Sequence, residues 1–218
     1  MKGMVFLQLA LDLIELKKAL DIAELAYPYV DIIEAGTPLI KSEGIRVVSE
    51  LKKRFKDKLV FADLKTMDTG ALEAQLAFRA GADIVSVCAQ ASRDTIRAAV
   101  EESRKWGRRI TIDLIGVEDV VLRARELVCF SPDYFCVHTG VDEQVSGKRG
   151  FDKVKRFHLE VSYPYAVAGG IRPEDIALLM DFKPSIVVVG GYVTGASEPD
   201  RATRVIREEL DRFTRYHF

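Results

Sequence analysis

Short apolar runs alternate with longer amphipathic stretches along the whole chain. Val5–Leu11 and Val30–Ile33 are apolar runs of the kind that form buried strands. Leu16–Leu25 and Ile45–Phe55 follow them and carry apolar residues at helical spacing. The pattern therefore predicts that strands and helices alternate, beginning with a strand.

The alternation continues to the end of the chain, with predicted strand ends roughly every 20 to 30 residues. One further strand begins at Leu59, and the others span Asp83–Val87, Ile110–Ile112, Tyr134–Val137, Tyr165–Val167 and Ile186–Val189. The further helices are predicted near Ala71–Ala80, Asp94–Lys105, Glu118–Leu127, Phe151–Phe157, Pro173–Met180 and Pro199–Phe213. Ala35–Pro38 is predicted to be a turn and Thr139–Gln144 a long polar loop.

Eight strand–helix units without an interrupting domain favour an α/β fold, a (β/α)8 TIM barrel with one domain over residues 1–218. An open doubly wound sheet is the alternative. No G-x-G-x-x-G motif follows the first strand, and glycine pairs come only after the seventh and eighth strands, which favours the barrel.

Ionisable residues lie where the predicted strands end. Alternate residues of a strand point the same way, so Lys65 should share a face with Asp63. Burying such groups costs roughly several kcal/mol each unless they are paired or bind an ion, so a functional site is the simpler explanation. The candidate catalytic and metal-binding residues at these strand ends are Asp12, Glu34, Asp63, Lys65, Asp113 and His138.

The chemistry of these residue types suggests separate roles. Glu34 and Asp63, on neighbouring strands, offer the hard oxygen ligands that Mg²⁺ prefers. Lys65 adds a fixed positive charge, and His138 is the candidate proton carrier, with a structural, hydrogen-bonded histidine as the alternative. The glycine pairs Gly169–Gly170 and Gly190–Gly191 follow the strands whose loops commonly hold phosphate in such barrels, which predicts a phosphorylated substrate.

Composition narrows the class of partner. The 218 residues carry 32 Lys+Arg against 33 Asp+Glu, so no net field attracts nucleic acid or an anionic membrane. Cys88, Cys129 and Cys136 form no C-x-x-C pair, which argues against disulfides and structural zinc and favours a cytoplasmic protein. The N-terminal apolar run is interrupted at Gln8 and Asp12, too early for a signal peptide or a membrane span.

Five segments, spread over Leu7 to Ala196, resemble one known family. They are Leu9–Asp12, Asp31–Pro38, Ala62–Asp68, Val137–Gly140 and Ala168–Ile171. Together they are similar to the 3-hexulose-6-phosphate synthases of the orotidine 5′-monophosphate decarboxylase suprafamily. The resemblance implies a Mg²⁺-dependent aldol reaction, with Mn²⁺ as a substitute, that joins formaldehyde to D-ribulose 5-phosphate through a 1,2-enediolate to give D-arabino-3-hexulose 6-phosphate, and its reverse.

The resemblance also assigns roles residue by residue. Glu34 and Asp63 match the metal ligands, and Lys65 matches the residue that stabilises the enediolate. Asp12 and Asp68 complete the charged set, and Asp68 is expected to reach across a homodimer interface into the partner's site. The residues matching the phosphate-holding loops are Gly169, Gly170, Gly190 and Gly191.

Three alternatives are weighed. Orotidine 5′-monophosphate decarboxylase is similar around Asp63-x-Lys65-x-x-Asp68 but has a lysine at the position of Glu34, so it is set aside. The closer rival, 3-keto-L-gulonate 6-phosphate decarboxylase, typically has arginines where this chain has Val141 and Tyr192. A barrel that only binds sugar phosphates would keep the glycine loops without needing the charged set.

Overall fold

The computed structural model describes residues 5–147 and 149–215, and these form a closed barrel of eight parallel strands in sequence order. The predicted (β/α)8 barrel is confirmed, and the open sheet is excluded because β1 pairs with β8. The predicted domain limits, residues 1 and 218, lie outside the described residues and stay a prediction. The strands are β1 (Phe6–Leu11), β2 (Ile32–Ala35), β3 (Leu59–Thr66), β4 (Ile84–Cys88), β5 (Arg109–Asp113), β6 (Tyr134–His138), β7 (Tyr165–Ala168) and β8 (Ile186–Val189).

Helices cover the outside of the barrel, and three of them were not predicted, one of which is Gly191–Thr194 after β8. Thr37–Glu43 is a helix where a turn was predicted, because Pro38 is tolerated in a first helical turn. Val141–Val145 is a short helix within the predicted polar loop. The helices are α1 (Leu16–Ala26), α2 (Thr37–Glu43), α3 (Arg46–Arg54), α4 (Gly70–Arg79), α5 (Arg93–Lys105), α6 (Val120–Leu127), α7 (Val141–Val145), α8 (Phe151–Glu160), α9 (Ile176–Asp181), α10 (Gly191–Thr194) and α11 (Pro199–Arg215).

Two apolar clusters hold the fold together. The larger one fills the layer between the sheet and the helices, with fully buried residues such as Leu9 and Phe135. The smaller one fills the inside of the barrel and includes Ile32, Phe61 and Ile186. Each such side chain contributes about 1.5–3 kcal/mol by leaving water. Because the inner cluster closes the barrel, the inward-pointing residues nearer the carboxyl ends are left to line a cavity.

Three aspartates occupy the opposite, amino end of the sheet. Asp31, Asp83 and Asp133 each precede an even-numbered strand, and each carboxylate accepts a hydrogen bond from a backbone N–H of the strand before it, at 2.8, 2.8 and 2.9 Å. Arg207 also binds Asp31, and Lys52 lies 2.7 Å from Asp83. These carboxylates satisfy backbone donors at the strand starts, so their role is structural.

Among the described residues, no helix is both long enough and apolar enough to span a bilayer.

Candidate active site

A cavity of about 850 Å³ lies at the carboxyl end of the barrel. Every candidate catalytic or metal-binding residue predicted at a strand end lines it, and so do the predicted phosphate-loop glycines. Asp68 does not line the cavity of its own chain. It is exposed beyond the end of β3, where its Oδ1 accepts a hydrogen bond from Thr69 N at 2.8 Å. The lining residues in the predicted set are Asp12, Glu34, Asp63, Lys65, Asp113, His138, Gly169, Gly170, Gly190 and Gly191.

Lys65 reaches the cavity through an irregular strand end. The pairing of β3 with β4 shifts register between Ala62 and Thr66, and Lys65 has a left-handed φ of 46°. This conformation costs a non-glycine residue about 1–2 kcal/mol. Regular alternation therefore does not account for its position, although Lys65 and Asp63 do line one cavity.

The Lys65 ammonium lies between two carboxylates. Its Nζ is 2.5 Å from Asp63 Oδ2 and 3.5 Å from Asp113 Oδ2. Desolvation lowers the pKa of Lys65, but the two aspartates outweigh it and raise that pKa above its usual value. Lys65 is therefore charged at any physiological pH.

Asp63 is held in place by hydroxyl groups from neighbouring elements. Thr37 Oγ1, at the start of α2, lies 2.7 Å from Asp63 Oδ2, and Ser86 Oγ donates to Asp63 Oδ1 at 2.7 Å. Ser86 Oγ also accepts a hydrogen bond from Lys65 N at 3.0 Å, which supports the irregular backbone there. The position of this carboxylate is thus fixed before any ligand binds.

Glu34 is buried beside other acids. Gln8 Nε2 donates to Glu34 Oε2 at 2.6 Å. Desolvation and the charges of Asp63 and Asp12 raise the pKa of Glu34 well above its usual value. Within the described part of the chain, Gln8 Oε1 is buried without a hydrogen-bond partner.

Asp12 faces the same group of acids from the mouth of the cavity. The residue is exposed overall, but its carboxylate lies against Gly36 and close to Gly190. Desolvation and the charge of Asp63 raise the pKa of Asp12. With Glu34, Asp63 and Asp113 it makes a set of acids that outnumbers the nearby cations Lys65 and His138. The cavity therefore favours a bound cation.

His138 and Asp113 form a hydrogen-bonded pair. His138 Nδ1 lies 3.0 Å from Asp113 Oδ2, and Asp113 Oδ1 accepts a hydrogen bond from Ile115 N at 2.9 Å. Desolvation lowers the pKa of His138, but the Asp113 carboxylate outweighs it and raises that pKa above 6.5. Because Nδ1 is held by Asp113, Nε2 is the ring nitrogen left to exchange a proton with a substrate.

The loops after β7 and β8 line another side of the cavity with Gly169, Gly170, Gly190 and Gly191, which together form the glycine wall. Gly169 and Gly170 have φ of 114° and 64°, and a Cβ on Gly169 would collide with the backbone oxygen of Thr139, so a larger residue would not fit there. Gly190 and Gly191 lead into α10, beside Tyr192. This wall offers mainly backbone groups to a ligand.

Several lining residues were not predicted from the sequence. The sequence did contain an indication for Gln8, because it is a polar residue in an otherwise apolar run and shares a strand face with Asp12. Ser86 and Thr111 lie one alternation before the strand ends, where a polar residue facing the barrel interior indicates a site. Arg149 and Arg172 lie in loops, where the sequence has no periodicity that indicates which way a side chain points. The unpredicted polar lining residues are Gln8, Thr37, Ser86, Thr111, Gln144, Arg149 and Arg172.

Among the described residues, a cluster with metal-type ligands is formed by Asp113, Cys136 and His138, whose ligand atoms all lie within 4.8 Å of one another. The order of cysteines and histidines along the chain gave no such indication. Glu34 and Asp63 are not in this cluster. They offer an oxygen pair from neighbouring strands, which suffices only if water or substrate completes the coordination.

Comparisons with known proteins find similar sequences and structures over nearly the whole chain. A sequence model described as the orotidine 5′-phosphate decarboxylase / HUMPS family matches residues 6–206. The chain is 41% identical over 206 residues to a 3-hexulose-6-phosphate synthase from Mycobacterium gastri, covering 94% of this chain and 99% of that one. It superposes on the crystal structure of 3-hexulose-6-phosphate synthase from Salmonella typhimurium with a TM-score of 0.93 at 34% identity, covering 96% and 100% of the two chains.

A related decarboxylase is also similar. The crystal structure of 3-keto-L-gulonate-6-phosphate decarboxylase from Vibrio cholerae superposes with a TM-score of 0.85 at 31% identity, covering 96% of this chain and 99% of that one. The comparisons thus identify a family that contains more than one activity.

Proposed function

Because the chain belongs to the orotidine 5′-phosphate decarboxylase / HUMPS family, we propose that it joins formaldehyde to D-ribulose 5-phosphate in a Mg²⁺-dependent aldol reaction and catalyses the reverse cleavage. Its similarity to named 3-hexulose-6-phosphate synthases identifies an enzyme of this lyase type. The substrate and mechanism rest on one observation above all, the buried network in which Asp63 and Asp113 hold Lys65 while Asp113 also holds His138.

The residues present fit a Mg²⁺ ion, which Glu34 and Asp63 would hold. The raised pKa of Glu34 reflects desolvation and unbalanced negative charge, which a cation would offset. The unpartnered Gln8 Oε1 would accept a hydrogen bond from a water on such an ion. When bound, Mg²⁺ would supply positive charge to substrate oxygens that become negative during the reaction.

The chain's own groups account for the proton and charge movements. His138 Nε2 takes a proton from C1 of ribulose 5-phosphate, and Asp113 stabilises the resulting imidazolium. Lys65, fixed by its aspartates, stabilises the enediolate oxygens that form. The C1 electron pair then bonds to the formaldehyde carbon, whose carbonyl π pair moves to oxygen, and that oxygen takes up a proton to complete the product.

The glycine wall would bind the substrate phosphate. Backbone N–H groups around Gly169–Gly170 and Gly190–Gly191 are suited to an anion, and the absence of side chains on these glycines leaves room for its oxygens. Tyr192 borders this wall and offers a phenolic hydroxyl where the related decarboxylases typically have an arginine.

A homodimer is part of the proposal. Asp68 lies outside its own cavity, and exposed apolar side chains flank it along the chain: Met67 is 53% exposed, and Leu72 and Leu76 on α4 are 55% and 46% exposed. Leu72 and Leu76 share one face of α4, so together they offer an apolar patch that a second copy would cover. In that dimer Asp68 would enter the partner's site.

Mixing two inactive variants tests the dimer. Asp68→Ala and Lys65→Ala subunits, mixed under conditions where subunits exchange, should regenerate wild-type sites in heterodimers and recover some activity. Demonstrated exchange with no recovered activity would exclude a contribution of Asp68 in trans.

The reaction itself is tested by incubating the protein with ribulose 5-phosphate, formaldehyde and Mg²⁺ and following formaldehyde loss. EDTA should abolish turnover, and Mg²⁺ or Mn²⁺ should restore it. Full turnover in metal-free buffer would exclude the metal, and no formaldehyde loss under any condition would exclude the reaction.

The second candidate is decarboxylation of 3-keto-L-gulonate 6-phosphate, favoured by the likeness to the Vibrio cholerae enzyme. Release of CO₂ from that compound, measured on the same preparation, separates the two activities. We also propose a cytoplasmic location, since Cys88, Cys129 and Cys136 are all free thiols.

A further inference from the structure

We propose that Asp113, Cys136 and His138 form a second cation site, which takes a thiophilic divalent metal of the Zn²⁺ class and, when filled, inhibits the enzyme. Their ligand atoms all lie within 4.8 Å of one another. The three side chains line the same cavity as the proposed catalytic groups, so a metal ion can reach them from solvent.

The site is built on rigid strands. Asp113 and Cys136 are paired in register across β5 and β6, and His138 follows Cys136 by two residues on the same face of β6. Zn–S and Zn–N bonds of about 2.3 and 2.0 Å place tetrahedral ligands about 3.6 Å apart. No pair of ligand atoms must therefore close by more than about 1.2 Å, which small side-chain rotations provide.

The ligand types select the metal. Thiolate, imidazole and carboxylate together suit Zn²⁺ or Co²⁺, whereas Mg²⁺ prefers the all-oxygen pair Glu34 and Asp63. Three protein ligands leave the fourth tetrahedral position for water or substrate from the cavity. The Cys136 thiol must lose its proton to solvent when the metal binds, and the bond to the metal compensates for burying the thiolate.

The neighbouring charges permit this second ion. Lys65 Nζ lies 3.5 Å from Asp113 Oδ2 but 2.5 Å from Asp63 Oδ2, so it keeps its closer partner when a metal binds Asp113. Asp12 and Asp63 line the same cavity. The acids therefore attract a cation even with Lys65 in place.

Inhibition follows from which groups the metal occupies. A metal on His138 and Asp113 removes the proposed proton carrier and its partner from the reaction. This consequence rests on the proposed function, whereas binding of the metal does not.

Co²⁺ is the probe, because thiolate ligation gives a charge-transfer absorption in the near ultraviolet that oxygen and nitrogen ligands alone do not give. We expect this absorption when Co²⁺ is added to the metal-free protein. We expect it to disappear when Zn²⁺ displaces the Co²⁺, with Mg²⁺ present at a lower concentration than Zn²⁺. Cys136→Ala should abolish it and weaken Co²⁺ binding by about 100-fold or more. His138→Gln should also weaken binding.

Cys88→Ala is the matched control. Cys88 is likewise buried at a strand end and pairs in register with Asp113, but its sulfur is not in the cluster. This variant should keep the charge-transfer absorption. No such absorption in the wild type, or its persistence in folded Cys136→Ala, would overturn the site.

Activity provides the second readout. Zn²⁺ should inhibit Mg²⁺-supported turnover, and Cys136→Ala should need at least about 10-fold more Zn²⁺ for half-inhibition than the wild type, each relative to its own activity without zinc. Equal zinc sensitivity in the two proteins would overturn the inhibitory role. Turnover without any cobalt–thiolate absorption would reject this site and leave the proposed function standing. The absorption without turnover would support this site and reject the proposed function.

Discussion

The two ends of the barrel use the same residue types in opposite ways. At the amino end, Asp83 accepts a hydrogen bond from Val60 N and is paired with Lys52 and Arg108. At the carboxyl end, Glu34 has Gln8 as a hydrogen-bond donor, and its acidic neighbours help to raise its pKa well above the usual value. Asp83 therefore stabilises the fold, whereas burial of Glu34 beside other acids destabilises it unless a cation binds.

This difference shows how to separate structural from functional charges in one sheet. A buried carboxylate whose partners are backbone donors and cations is accounted for by folding alone. A buried carboxylate placed beside others of like charge is not, so it indicates a ligand. Mutations at the two ends should accordingly affect different properties.

The largest effect is expected from removing a charge at the carboxyl end. Asp63→Asn should lower kcat/KM for formaldehyde fixation by about 1,000-fold, or about 4 kcal/mol in barrier, because it removes a proposed metal ligand and a partner of Lys65. The fold should persist, since the amide oxygen can still accept hydrogen bonds from Thr37 or Ser86. Steady-state kinetics measure kcat/KM, and thermal melting measures whether the fold persists. Activity within 10-fold of wild type would contradict the assignment.

The matched change at the amino end should affect stability instead. Asp83→Asn leaves Lys52 and Arg108, which are both partly exposed, without their carboxylate and should lower the free energy of unfolding by about 2 kcal/mol. Because Asp83 is remote from the cavity lining, kcat/KM per folded molecule should stay within about 2-fold of wild type. Denaturant unfolding measures the first quantity, and Glu101→Gln, at an exposed residue, is the control that should change neither. A large loss of kcat/KM would mean that the two ends are coupled.

The contrast between the ends also explains how far the sequence alone could lead. Alternation along strands predicted which charged residues share the cavity, because side-chain direction in a barrel follows a period of two residues. It could not reveal the left-handed φ of Lys65, since a register shift depends on the neighbouring strand. Arg149 and the Asp113–Cys136–His138 cluster depend on loop paths and on side-chain positions across strands, which no local pattern encodes.

A smaller effect is expected from the pH dependence of stability without metal. In EDTA, the pKa of Glu34 is higher in the folded protein than in the unfolded chain, so the unfolded chain loses the Glu34 proton at lower pH. The contribution of Glu34 to stability is therefore fully present below about pH 4.3 and is lost as pH rises through the folded-state pKa. Glu34→Gln should remove this loss and raise the free energy of unfolding near pH 7.5 by about 1 kcal/mol.

Thermal melting from pH 4 to 8, with EDTA and with Mg²⁺, measures this prediction. Mg²⁺ should stabilise the wild type and should stabilise Glu34→Gln much less, because the variant lacks a ligand charge. Equal stabilisation of both proteins by Mg²⁺ would show that Glu34 does not bind it.

The smaller of the two expected losses of activity concerns Val141, which lines the same cavity as His138 and the glycine wall. Val141 begins α7, lines the cavity and is 67% exposed, so a longer side chain fits there without disturbing the core. The related decarboxylases typically carry an arginine at this position. An arginine beside His138 would bring charge and water to the enediolate and favour its protonation, whereas valine keeps that face apolar for formaldehyde.

Val141→Arg should therefore lower synthase kcat/KM and raise decarboxylation of 3-keto-L-gulonate 6-phosphate, each by about 10-fold, or about 1.4 kcal/mol in barrier. Val141→Met is the control for size, because it lengthens the side chain without adding charge. It should leave the ratio of the two activities near the wild-type value. Both activities are measured on one preparation of each protein. If the arginine variant folds and responds to Mg²⁺ but keeps the wild-type ratio, water exclusion by Val141 does not set specificity, and the distinction between the two reactions must come from the glycine wall and Tyr192.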